Sequence, residues 1–164
     1  MIYKEIAKII INEIIPRIEN HNGLQIFAAE RARFEPWLKV EFVDIFMNYF
    51  KMVLPEQDWI DIVLDKETYI ELKTVVTNYS YENVKNKTRP ITNQIDSVVA
   101  DINKLQKLKN ISKIVVVIVY PCTHNKLNWQ EHHLKKISMQ MKTYIYKDFK
   151  FKNGIPGVIY AGEI

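Results

Sequence analysis

The stretch Asp58-Trp-Ile-Asp61-Ile-Val-Leu and, after a short polar break, Tyr69-Ile-Glu71-Leu-Lys73-Thr set two carboxylates and a lysine within reach of one another. Asp61, Glu71 and Lys73 are all odd-numbered, so on strands with a two-residue period they fall on one face. Asp61 points the same way as Glu71 if the connecting loop has an odd length. An even-length turn would set Asp61 opposite Leu72. Ile70 and Leu72 face the other side, into a core. Two carboxylates on one sheet face repel each other unless a cation lies between them, and oxygen donors of this type suit Mg²⁺. A lysine beside them can orient a water or stabilise charge that builds on a phosphate. Such a trio suits hydrolysis of a phosphodiester.

The elements that must position these residues follow from hydrophobic spacing. Residues 59–64 and 69–76 read as a hairpin joined by Asp65-Lys66-Glu67-Thr68, and Pro55-Glu56-Gln57-Asp58 reads as a turn before it. Upstream, residues 1–17 form an amphipathic helix, and a second, aromatic-rich helix starts at Pro36 and runs toward Phe50. Downstream, Asn78 to Thr92 is a polar, basic loop. Ile95, Val98, Val99, Ile102, Leu105 and Leu108 then mark a long helix. The run 114–120 (IVVVIVY) is continuously apolar and β-branched, as a strand buried on both faces requires. Residues 127–144 read as helix again, and 149–164 as a hairpin around Asn153-Gly154. One α/β domain with a mixed sheet flanked by helices, spanning residues 1–164, accounts for this order.

The D…E-x-K arrangement resembles the PD-(D/E)XK nuclease superfamily, which includes type II restriction endonucleases, Holliday-junction resolvases and mismatch-repair nicking endonucleases. Asp61 matches the family's Asp, and Glu71-Leu72-Lys73 its E-x-K. The likeness covers roughly residues 30–120. It implies a restriction-endonuclease-like core and a DNA endonuclease in which Asp61 and Glu71 hold Mg²⁺, with Mn²⁺ as a substitute, while Lys73 assists the water. It also implies a homodimer, because cutting both strands takes two sites. Two departures stand out: Ile60 rather than Pro precedes Asp61, and only two strands are evident before the long helix, where the family usually has three. Asp58 is a rival for the first carboxylate.

Several other residues bear on this reading. Glu41 lies on a partly apolar side of its helix, where a carboxylate is costly unless paired or bound to metal. Several families of the superfamily place an active-site glutamate on that helix, so Glu41 is the supporting carboxylate, with Glu30 second. A salt bridge to Arg31 or Arg33 is the alternative for both. The loop after the E-x-K strand interleaves bases, hydroxyls and aromatics. Its Lys85, Lys87, Arg89 and Thr92 suit phosphate and base-edge contacts, and Gln94 at the start of the next helix is placed to reach the metal or the scissile phosphate. Lys104, Lys107 and Lys109 read as a solvated helix face. His124, His132 and His133 lack zinc-site spacing. Cys122, the one cysteine, reads as a buried structural thiol.

The formal net charge of +4 is ordinary, but its distribution is uneven. Residues 83–110 carry six basic and two acidic residues, residues 135–152 six and one, and the remainder sums to −5. Basic segments beside an acidic remainder suit a polyanion such as DNA, with a cluster of carboxylates apart from it. Four glycines provide no phosphate-cradling loop, and no apolar run reaches the roughly 18–20 residues of a bilayer span. A single cysteine fits a reducing, cytoplasmic location. Two other readings remain: a nucleic-acid-binding or regulatory protein that keeps the fold without cleavage, and an interaction module whose carboxylates only solvate a surface.

Overall fold

The computed structural model describes residues 1–85 and 90–164. Three helices open the chain: α1 (Tyr3–Glu19), α2 (Asn22–Ala29) and α3 (Glu35–Phe46), the last with proline in its first turn. Then come β1 (Val53–Gln57), β2 (Ile60–Leu64), β3 (Thr68–Val76), α4 (Ile91–Gln106) and β4 (Ser112–Tyr120). A helical stretch follows, formed by α5 (Leu127–Trp129), a π-helical turn (Gln130–Leu134) and α6 (Lys135–Ser138) without a break. The chain ends in β5 (Thr143–Lys150) and β6 (Pro156–Glu163).

The six strands form one mixed sheet in the order β1-β2-β3-β4-β6-β5. Only β3 and β4 run parallel, with α4 as the crossover between them; the other neighbours are antiparallel. Side-chain alternation on β4 divides the core in two. Ile114, Val116, Ile118 and Tyr120 meet α1, α2 and α3 on one face, whereas Val115, Val117 and Val119 meet α4, α5 and α6 on the other. The continuous apolar run at 114–120 is thus a central strand covered on both faces, as its composition requires.

Several boundaries differ from the sequence-based expectation. The segment expected to be a turn before the hairpin contains β1, whose Val53 and Leu54 pair with Leu64 and Val63 of β2. Pro55 is tolerated there because β1 is an edge strand, and Asp58-Trp59 makes the actual turn, with Asp58 at a φ of 55°. Three strands, not two, therefore precede α4. The helix expected over 127–144 stops at Ser138, and Thr143 to Lys150 instead forms a strand that pairs along β6.

Candidate functional site

The loop joining β2 to β3 is Asp65-Lys66-Glu67, an odd length, and it pairs Leu64 with Thr68 and Ile62 with Ile70. Carried one residue past the last paired residues, this register would set Asp61 across from Glu71. The β2–β3 pairing stops at Ile62 and Ile70, and β3 continues with its ladder groups on that edge uncovered. Side chains cover them. The Leu72 N–H donates to Asp61 Oδ2 (2.8 Å), the Thr74 N–H to Glu35 Oε1 (2.8 Å) and the Val76 N–H to Gln94 Oε1 (2.9 Å). Gln94 Nε2 also donates to the Val76 carbonyl (2.9 Å), so its amide copies both bonds of a neighbouring strand. Three residues from β2, α3 and α4 thus stand in for a missing strand, which satisfies the backbone where water is excluded.

The trio expected from the sequence gathers beside this edge. Glu71 is 5% exposed, and its Oε1 pairs with Lys73 Nζ at 3.0 Å. Its Oε2 is buried with no hydrogen-bond partner. Burial, and then the charge of Asp61, push the Glu71 carboxyl up to about 7. Lys73 Nζ also meets Asp101 Oδ2 of α4 at 2.7 Å, and Lys104 holds the other Asp101 oxygen at 3.0 Å. Burial alone would lower the Lys73 ammonium, but Asp101 and Glu71 outweigh it and hold it above the ordinary lysine value. Asp61 uses its second oxygen, Oδ1, on Lys39 of α3 at 3.0 Å, and Lys39 reaches Glu56 of β1 at 2.8 Å.

Charges therefore alternate across the sheet edge in the order Glu56, Lys39, Asp61, Glu71, Lys73, Asp101 and Lys104. In that order two acids, Asp61 and Glu71, stand next to each other, and the charge of Asp61 helps raise the Glu71 carboxyl. Glu71 Oε2 is the buried oxygen without a hydrogen-bond partner. This donor set fits a divalent cation, since Mg²⁺ is commonly held by one or two carboxylates with waters completing the shell. Among the described residues no three His, Cys, Asp or Glu side chains group as a metal site.

Other expected site residues lie elsewhere. Glu41 is not brought to the trio; its Oε2 accepts from Arg17 Nη1 of α1 at 2.7 Å, a guanidinium shared with Asp44. The cause is helical geometry, because two residues past Lys39 is roughly 200° around the axis, away from β2 and β3. Glu35 and Lys39, one turn apart, occupy the face that Glu41 was expected to present. Glu30 pairs with Lys85 Nζ at 2.6 Å. Gln94 is buried and both its amide atoms are taken by Val76, which leaves neither for a phosphate. Asp58 lies exposed in the β1–β2 turn. Thr92 is exposed in the first turn of α4, while Lys87 and Arg89 lie outside the described residues.

Glu35, Lys39 and Asp101 escaped the reading of the sequence, although a signal existed for one of them. Asp101 lies beside Ile102 and three residues from Val98, on the flank of the α4 stripe that packs on β3 and β4. Arg31, expected as an ion-pair partner, is instead 1% exposed. Its guanidinium donates to the carbonyls of Thr77 (2.5 Å), Tyr79 (2.7 Å) and Lys85 (2.7 Å), which pins the segment leaving β3. Cys122 is buried, and burial pushes its thiol up to about 12, in keeping with a structural role.

No family model, curated protein or solved structure matches the chain. No helix among the described residues is long and apolar enough to cross a membrane.

Proposed function

We propose that the chain is a Mg²⁺-dependent DNA endonuclease of the PD-(D/E)XK type, with a restriction-endonuclease-like core formed by α3, β1–β3, α4 and β4. The observation that carries this reading is the buried Glu71 carboxyl with an unpartnered oxygen, raised in part by the charge of Asp61. Asp61 and Glu71 would hold the cation, which when bound supplies positive charge for a phosphate and acidifies its water. Lys73, kept cationic by Asp101 and Glu71, is a donor for a phosphate oxygen or a water rather than a base at neutral pH. Glu35 takes the place expected for Glu41 as the helix carboxylate nearest the strand. The basic loop before α4 lies next along the chain and supports DNA as substrate. A homodimer follows if both strands are cut.

One observation favours a second reading, a nucleic-acid-binding protein that keeps the fold without cleaving. Asp61 Oδ1, Glu71 Oε1 and both Asp101 oxygens are already held by lysines. Supercoiled plasmid incubated with Mg²⁺ or Mn²⁺ separates the two. The nuclease reading expects nicked or linear product that Glu71→Ala and Lys73→Ala reduce at least about 100-fold. Salt-sensitive DNA binding with no product from any DNA form would favour the second.

A further inference from the structure

Asp61 cannot serve a divalent cation and Lys39 with the same oxygen. Its Oδ2 is taken by the Leu72 N–H at 2.8 Å, a backbone donor fixed by β3. Its Oδ1 is the oxygen free to change partners, and Lys39 Nζ occupies it at 3.0 Å. Lys39 is not held there alone, because Glu56 Oε1 stands 2.8 Å from the same ammonium. The two carboxylates differ in setting: the Asp61 side chain is 17% exposed and that of Glu56 71%. Lys39 and Glu56 both line a groove of about 480 Å³ between α3 and β1, bordered by Pro36, Val40, Val43 and Pro55. The lysine stem therefore has apolar walls to lie along and open volume to move into, as long cationic side chains favour.

We propose that Lys39 is a resident counter-ion for Asp61, displaced by a divalent cation and handed over to Glu56. Without the cation, Lys39 neutralises an acid whose charge would otherwise act unopposed on Glu71. With the cation present, Asp61 Oδ1 turns to it, and Lys39 remains paired through Glu56 alone. Two like charges a few ångströms apart repel strongly in a partly buried setting, so the two cations exclude each other. The cation affinity of the site is thus set by competition, and Glu56 weakens the competitor by offering it a second partner. The inference rests on the cation site proposed above.

The test counts bound Mn²⁺ by the loss of its free-ion electron paramagnetic resonance signal, on the full chain at fixed pH and ionic strength. Wild type, Lys39→Met, Glu56→Gln and the double variant are compared, with Asp61→Asn as the control for the site itself. Lys39→Met should bind Mn²⁺ about tenfold more tightly, and Glu56→Gln a few-fold more weakly. In the Lys39→Met background the effect of Glu56→Gln should vanish, because Glu56 acts only through the lysine. An affinity unchanged by Lys39→Met overturns the proposal while leaving the cation site standing. A Glu56→Gln effect that persists without Lys39 also overturns it, since Glu56 would then act only as a distant charge. If no variant binds Mn²⁺, or Asp61→Asn binds as wild type does, the cation site fails and the hand-over with it. Circular dichroism melts check folding, and Lys39→Gln replaces Lys39→Met if the latter does not fold.

Discussion

A carboxyl that is 5% exposed, feels the charge of Asp61 and has one oxygen without a partner keeps its proton to a higher pH than an ordinary glutamate. That gives Glu71 a measurable effect on folding. Below its ordinary value of 4.5, folded and unfolded chains both hold the proton and no cost arises. Between 4.5 and about 7 the unfolded chain releases it while the folded chain keeps it, so stability falls as pH rises. Above about 7 both states are ionised and the cost is complete, roughly 3 kcal/mol. Urea denaturation in a chelating buffer should therefore show Glu71→Gln gaining on wild type by roughly that amount from about pH 4 to about pH 8. A difference that does not change with pH would contradict this account of Glu71. Asp61, Glu71 and Lys73 were legible in the sequence because a strand's two-residue period assigns faces without knowledge of the neighbours. Glu35, Lys39 and Asp101 were not, because a helix presents a residue to the sheet only once its rotation and docking are set by packing.

Where the β2–β3 pairing stops, β3 keeps backbone donors that no strand covers, and Asp61, Glu35 and Gln94 take them in turn. Gln94 is the most committed, since its amide bonds both the N–H and the carbonyl of Val76 inside the core. Gln94→Ala should cost about 2 kcal/mol or more, because it leaves a buried donor and acceptor unpaired. Gln94→Glu should not rescue it, since a carboxylate would face the Val76 carbonyl with no proton to donate. Urea denaturation checks both, and a neutral Gln94→Ala would show that the amide does not serve as a strand substitute. The chain of elements was readable from periodicity for α1, α3, the β2–β3 hairpin, α4 and β4. β1 was not, because Pro55 and the polar residues after it carry the composition of a turn. Its edge position, which only the assembled sheet shows, is what permits a proline there. Glu41 was misplaced for a related reason: its setting on the helix suggested burial, and Arg17 of α1, distant in sequence, supplies its partner.

Across the molecule, the six-stranded sheet places its two cores on opposite faces and its charged edge between α3 and α4. The net charge of +4 conceals this arrangement. Lys104 from one basic segment is bound into the acidic cluster, and Lys85 is paired with Glu30, so the two populations of charge are not separate surfaces. Asp61 and Glu71, the two successive acids in the edge's order of charges, are the feature on which the proposed activity depends. Crystals of the chain soaked in Mn²⁺, with anomalous scattering recorded near the manganese edge, test it most directly. The account predicts an anomalous peak at the Asp61 and Glu71 carboxylates, with Lys39 moved off Asp61. A saturating soak with no peak at these two carboxylates would contradict it.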